Sequence, residues 1–242
     1  MDSDNGLQLL EDENGLYLTD GKLVYRPDLT HMIPRVKKGI IGTELLVRAA
    51  RLKDMSGQPT LIDATAGLGE DSLLLAAAGF SVKLYEYDHV IAALLSDSLR
   101  KAAADPVLGP IVAHMEVVEG DSIAAMKAMS GEQAGAAGTA RSVAEMASQT
   151  VKSGTLATPD VIYLDPMFPE RTKAAMIKKK FQLLQQLERP CSNETELLEA
   201  ALAAHPHKIV IKRPLKGPNL AGVKPAYSIE GKAIRYDCLV LA

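Results

Sequence analysis

The chain has 242 residues, 47% of them hydrophobic and 24% charged, a balance that builds a packed core and excludes overall disorder. Its formal charge of −3 is unevenly spread: residues 1–170 hold 14 Lys and Arg against 24 Asp and Glu, whereas residues 171–242 hold 13 against 6. No apolar run approaches the roughly 18 residues of a membrane span, and the opening stretch has Asp2, Asp4, Glu11, Asp12 and Glu13 where a signal peptide needs basic residues.

Residues 1–36 read as a small β appendage. Leu16–Leu18 and Leu23–Tyr25 alternate around Asp20-Gly21, a hairpin signal. Residues 37–242 read as the main domain. Its first helix is expected over Ile40–Leu52, where Ile41, Leu45, Leu46 and Ala49 share a face. From Thr60 strands and helices alternate: a strand at Leu61-Ile62, a helix over Asp71–Ala78 stopped by Gly79, a strand over Val82–Glu86, a helix over His89–Ala104 and a strand over Met115–Val118. Residues 130–158, rich in Ala, Ser, Gly and Thr, predict a mobile insertion. A strand at Val161–Leu164, a basic helix over Thr172–Leu187, a helix over Leu197–Ala204 and a strand at Lys208–Ile211 follow, and Ala226–Leu241 closes as two strands around Glu230-Gly231. The expected class is α/β, a mostly parallel sheet covered on both faces with a C-terminal antiparallel hairpin.

The segment Asp63-Ala64-Thr65-Ala66-Gly67-Leu68-Gly69-Glu70-Asp71 joins the first sheet strand to its helix. Glycines here let the backbone approach a ligand closely. A dinucleotide loop wants a third glycine where Ser72 stands, and Glu70 and Asp71 would repel its pyrophosphate. S-adenosylmethionine, with an ammonium and a sulfonium and no phosphate, suits an acidic loop. Glu86 ends the second strand nineteen residues after Gly67, where a carboxylate can accept from both ribose hydroxyls. Asp121-Ser122 ends the third strand, where it can meet the adenine amino group.

Val161–Leu164 delivers Asp165-Pro166-Met167-Phe168-Pro169, an acid and an aromatic on a stiff turn. That set suits methylation of an exocyclic amine, whose lone pair is delocalised into its base. The Asp165 carboxylate and the Pro166 carbonyl can bind the two amine hydrogens, and Phe168 can stack on the base. The basic C-terminal third, with Lys178 and Lys179 after this turn and Lys212 and Arg213 after the next strand, reads as a phosphate-holding mouth. Cys191, Cys238 and the five histidines form no metal-ligand spacing, so no metal is expected.

The strings Asp63–Gly69, Asp165–Pro169 and Lys212-Arg213-Pro214 together resemble the bacterial small-subunit ribosomal RNA methyltransferase J family, from about Lys37 to the C-terminus without 130–158. The chain departs from that family at Glu70 and Tyr87, where arginine is usual. The resemblance implies a Rossmann-like class I methyltransferase domain, S-adenosylmethionine as donor, and a guanine amino group in 16S rRNA, free or in the 30S subunit, as acceptor. Cofactor contacts are expected from Asp63, Gly67, Gly69, Glu70, Asp71, Glu86, Tyr87, Asp121, Ser122 and Asp165, catalysis from Asp165, Pro166 and Phe168, and a cytoplasmic protein with no membrane partner. Alternatives are amino-methylation of DNA adenine or a protein glutamine, or a non-catalytic RNA-binding role in ribosome assembly.

Overall fold

Short aliphatic runs bounded by turn residues become strands, and the chain lays them in two sheets. The structure is a computed structural model, and it describes residues 6–53, 57–135, 158–166, 183–184, 187 and 193–241. The first sheet is antiparallel, of β1 (Gln8–Asp12), β2 (Gly15–Thr19) and β3 (Val24–Tyr25). At its expected turn the Asp20 carboxylate accepts from the backbone N–H groups of Lys22 and Leu23, at 2.8 and 2.7 Å, and Gly21 supplies a φ of 83°.

The second sheet has seven strands. The chain runs through α1 (Ile33–Val36), α2 (Leu45–Ala50), β4 (Thr60–Asp63), α3 (Glu70–Ala77), β5 (Ser81–Glu86), α4 (His89–Ala102), α5 (Gly109–Val112), β6 (Met115–Glu119) and α6 (Ser122–Gly135). It continues with β7 (Val161–Leu164), α7 (Glu194–Ala203), β8 (Lys208–Pro214), β9 (Tyr227–Glu230) and β10 (Ile234–Val240). Strand order is β6-β5-β4-β7-β8-β10-β9, parallel from β6 to β8, with β10 antiparallel to both β8 and β9. The α/β class and the C-terminal hairpin are as expected.

Alternation along the strands sorts side chains into two cores. Val161, Tyr163 and Val210 pack with α2 and α3 on one face, and Ile162, Leu164, Ile209 and Ile211 with α6 and α7 on the other. A third cluster seats Leu7, just ahead of the small sheet, with Leu18 and Tyr25 of that sheet and Leu94 of α4. Leu29, Met32 and Val36 bury in the α2/α3 core, so the chain enters the larger layer before residue 36. Helix starts are capped: Asp88 accepts from Val90 and Ile91 at α4, and Asn193 from Glu196 at α7.

Some elements differ from expectation. The helix expected over Ile40–Leu52 divides into a 3-10 turn, Ile41–Thr43, and α2, because Glu44 between them is extended and pairs through both carboxylate oxygens with Arg35, at 2.9 and 2.8 Å. Helix α6 runs on into the stretch read as an insertion, of which residues 136–157 lie outside the described residues. Of the expected basic helix, Leu183, Leu184 and Leu187 are described. Strand β8 continues to Pro214 because β10 pairs with it throughout. Among the described residues no helix is long and apolar enough to cross a membrane.

Asp63 at the end of β4 is 1% exposed and ties β4 to α3. It accepts from the Ser72 hydroxyl at 2.6 Å and from the Thr65 N–H at 3.0 Å. Burial pushes its carboxyl up to about 7, helped by the charges of Asp71 and Asp165 and opposed by the two hydrogen bonds. A carboxyl that holds its proton more tightly folded than unfolded stabilises the fold most below its ordinary 3.8, and that contribution is lost as pH rises through 7. Urea denaturation across pH should therefore find wild type losing stability relative to Asp63→Asn between about pH 4 and pH 7. Gly69 starts α3 at φ 75°, and a Cβ there would stand 2.7 Å from Leu95 Cδ1. Gly67, at φ 53°, has open space at that position. Gly69→Ala should cost about 2 kcal/mol or more, and Gly67→Ala about 1 kcal/mol, in the same measurement.

Candidate active site

The winding of the larger sheet reverses beside β4: the chain steps outward to β5 and β6, then returns to lay β7 on the other side. Such a reversal opens a crevice past the carboxyl ends of the strands. The loop after β4 is stitched to both neighbours there. Toward β7, the Ala64 N–H donates to the Tyr163 carbonyl at 3.1 Å, and the Asp165 N–H donates to Thr65 Oγ1 at 2.7 Å. Toward β5, the Ala66 N–H donates to the Tyr85 carbonyl at 3.0 Å, and the Gly67 N–H to Glu86 Oε2 at 2.9 Å.

Glu86 is half-buried, and its Oε1 accepts from the Asp88 N–H at 2.9 Å. Burial raises its pKa against the lowering by these amide bonds. Each carboxylate oxygen has a second lone pair with which it can take a hydroxyl. Tyr87 beside it is 76% exposed. At the end of β6, Asp121 accepts from the Ile123 N–H at 2.8 Å at the start of α6, and Ser122 is buried. Glu70 sits 3.2 Å from His31 Nε2, while Asp71, one residue on, faces the crevice side of β7 and β8.

Four side chains meet at the carboxyl ends of β7 and β8. The Lys212 ammonium donates to Asp71 Oδ2 and to Asp165 Oδ2, both at 2.8 Å, and the Tyr163 hydroxyl donates to the same Asp71 oxygen at 2.6 Å. Tyr236 stands opposite Lys212 in the β8–β10 register and is buried. Burial acts to lower the Lys212 pKa, but Asp71 and Asp165 together raise it, so the ammonium stays charged. Burial, then the charges of Asp71 and Asp165, push the Tyr163 hydroxyl well above its usual range. Pro166 is buried behind Asp165. Phe168, Lys178 and Lys179 lie outside the described residues.

The structure places several of the expected contact residues away from the mouth of the crevice. Asp63, expected to touch a cofactor, is enclosed beneath the loop with its oxygens bonded to Ser72 and Thr65. Lys212 and Arg213, expected to hold phosphate together, lie on opposite faces of β8 because successive strand residues do. Lys212 turns into the crevice. Arg213 is 1% exposed, with Nη1 on Glu194 at 3.1 Å and Nε on the Pro218 carbonyl at 2.8 Å, out of reach of a bound polyanion. Tyr163, Thr65 and Ser72 were missed by the sequence reading. The position of Lys212 at the carboxyl end of a strand next to β7 was the signal for its place in the site.

The residues present fit S-adenosylmethionine. A pyrophosphate would need the loop amides, yet the Gly67 amide is already held by a carboxylate, and Asp71, Glu86 and Asp165 edge the crevice. Carboxylates there suit a cationic donor.

The chain matches the family model described as "Putative SAM-dependent methyltransferase" over residues 28–136 and 139–241. It is 42% identical over 180 residues to the ribosomal RNA small subunit methyltransferase J of Pseudomonas aeruginosa, covering 74% of this chain and 59% of that one. It is 41% identical to that of Pseudomonas fluorescens, covering 74% and 60%. The chain thus spans about three fifths of the length of these relatives. A SAM-dependent methyltransferase structure from Neisseria gonorrhoeae superposes with a TM-score of 0.71 at 28% identity, over 99% of this chain and 85% of that one. The rRNA methyltransferase AviRa of Streptomyces viridochromogenes shares the fold, with a TM-score of 0.51 at 16% identity, over 88% and 96%. The strand order, the acid-edged crevice beside β4 and a family match along nearly all of its length agree: the chain belongs to the SAM-dependent methyltransferase family.

Proposed function

We propose that this chain methylates the exocyclic amino group of a guanine in small-subunit ribosomal RNA, with S-adenosylmethionine as donor. The observation that carries the reading is the position of Asp165. Its backbone is pinned to the glycine loop through Thr65 and its side chain is fixed by Lys212, so a carboxylate acceptor stands at the edge of the donor crevice. The name borne by the Pseudomonas relatives supports the substrate class.

Bound in the crevice, S-adenosylmethionine supplies an electrophilic methyl group. The chain's own part is to hold and orient. Glu86 grips the ribose, and the Gly67–Gly69 turn lets the donor lie close to the backbone. Asp165 and the Pro166 carbonyl take the two amine hydrogens, which favours a pyramidal nitrogen with its lone pair aimed at the methyl carbon. Phe168 stacks on the base to fix its plane. Asp165 has no need to be a strong base, since the amine proton becomes acidic once the new bond forms. Positioning supplies most of the acceleration. Lys178, Lys179 and the exposed Lys216 hold phosphates of the folded RNA, which orients the substrate without choosing its base.

Methyl transfer to 16S rRNA and to 30S subunits, followed by mass spectrometry of the nucleosides, should yield N2-methylguanosine. Asp165→Ala should lower turnover about a hundredfold or more while donor affinity by calorimetry stays within about threefold. Glu86→Gln should weaken donor binding about tenfold or more and leave turnover at saturating donor near wild type. Wild type that takes up no donor, or a methylated base other than guanine, would refute the reading.

A further inference from the structure

A carboxylate that must accept an amine hydrogen at neutral pH and then take up the surplus proton has to be both ionised and still. Asp165 stands among groups that work against the first condition. Asp71 approaches it from α3, and Asp63 lies below on β4. Tyr163 on β7 bonds to Asp71, and Tyr236 on β10 closes the far side. Among the described residues, Lys212 is the cation bonded to both Asp71 and Asp165. Arg35 of α1 feels the Asp71 charge from further off while its guanidinium is held by Glu44. The Lys212 side chain is 21% exposed and ends between the two carboxylates, which removes it from the phosphate-binding rim.

We infer that Lys212 is a positioning residue for methyl transfer: its ammonium, held 2.8 Å from both Asp71 and Asp165, fixes the Asp165 carboxylate and keeps it ionised as the acceptor for the substrate amine. This rests on the amine-methylation reading above. The same bridge links the acceptor corner after β7 to α3, the helix that begins in the glycine loop, so the two halves of the crevice are tied by a side chain. In the transfer the amine nitrogen bonds to the methyl carbon as the carbon–sulfur bond breaks, leaving its electron pair on sulfur. The surplus amine proton passes to the ionised Asp165 and on to water. Lys212 keeps its own protons throughout. Without it, the two carboxylates lose the ammonium they share, and one of them takes up a proton at a higher pH. A protonated Asp165 has no place for the surplus amine proton.

Two readouts test this, one without donor or RNA. Carbon-13 NMR of labelled aspartate carboxyls in Lys212→Met should find one carboxyl titrating at least about one pH unit higher than in wild type. In turnover, the acid limb of the kcat–pH profile should move up by the same amount, and kcat at pH 7 should fall about tenfold or more, with KM for RNA within about threefold. Lys212→Arg should restore most of kcat. Adding Asp71→Asn to Lys212→Met removes the like charge and should bring the acid limb back toward wild type. Should Lys212→Met not fold, Lys212→Gln, which keeps a donor without the charge, is read against the same limits. Unchanged titration and profile, or a rise in KM with the acid limb in place, overturn the inference; the latter would make Lys212 a phosphate contact. Wild type that titrates as described but methylates no RNA would sink the functional reading and leave the role of Lys212 in the carboxylate pair standing.

Discussion

The site depends on hydrogen bonding between neighbouring parallel strands that continues past the strand ends. Where β4 and β7 stop, the Ala64 N–H still reaches the Tyr163 carbonyl, and a threonine hydroxyl takes the Asp165 N–H. The ladder is thereby carried one residue into each loop, so the glycine turn and the acid-proline corner cannot drift apart independently. On the other flank the Gly67 amide is held by Glu86, so a side chain proposed to grip the donor also shapes the turn that admits it. Ordered backbone at a topological switch point is what lets loop residues act with the precision of strand residues.

The second determinant is the two-residue period of the strands. Along β8, Lys208, Val210 and Lys212 face α2 and α3, and Ile209, Ile211 and Arg213 face α7. Lys208 uses its face to donate to the Ala49 and Arg51 carbonyls at the C-terminal end of α2, where backbone acceptors lack helical partners. Arg213 uses the other to meet Glu194 at the start of α7. Arg235, opposite Arg213 in register, is bonded to Asp237 through two nitrogens and to the carbonyls of Pro214, Leu215 and Gly217, so it fastens the turn that leaves β8 beside the site. These basic side chains serve as internal ties.

That arrangement explains what the sequence could and could not reveal. Strand positions and the closing hairpin were legible because apolar runs, Gly79 and Glu230-Gly231 punctuate the chain at the spacing each element needs. The glycine loop, Glu86 and Asp165 were legible because their chemistry is tied to strand ends. Composition counts charges without seeing which way they face: in the basic C-terminal third Lys208, Lys212, Arg213 and Arg235 turn inward, while Lys216, Lys224 and Lys232 are exposed. Likewise Asp63 is part of the most recognisable string in the chain, yet it lies beneath the loop because Ser72, nine residues on, returns along α3 to meet it. Tyr163 looked like one more apolar strand residue until the parallel pairing brought α3 over it.

An acidic crevice carries a cost that the cofactor class alone does not offset. Asp71, Glu86 and Asp165 suit a sulfonium donor better than a dinucleotide, but Asp71 and Asp165, brought together at one ammonium, also repel each other. The rise at Asp63 is driven first by burial, with the charges of Asp71 and Asp165 adding to it, so their repulsion is felt beneath the loop. An internal ammonium between two of the acids relieves it permanently, and it does so from a rigid strand, so the relief needs no bound ligand. It also sets a limit on basicity: a carboxylate bonded to a lysine is a weak base, which suits a reaction whose proton is released only after the new bond has formed. A site designed to abstract a proton first would be better served by an apolar surround that raised the acid's affinity for it. The lysine between Asp71 and Asp165 therefore favours chemistry in which orientation leads and proton transfer follows.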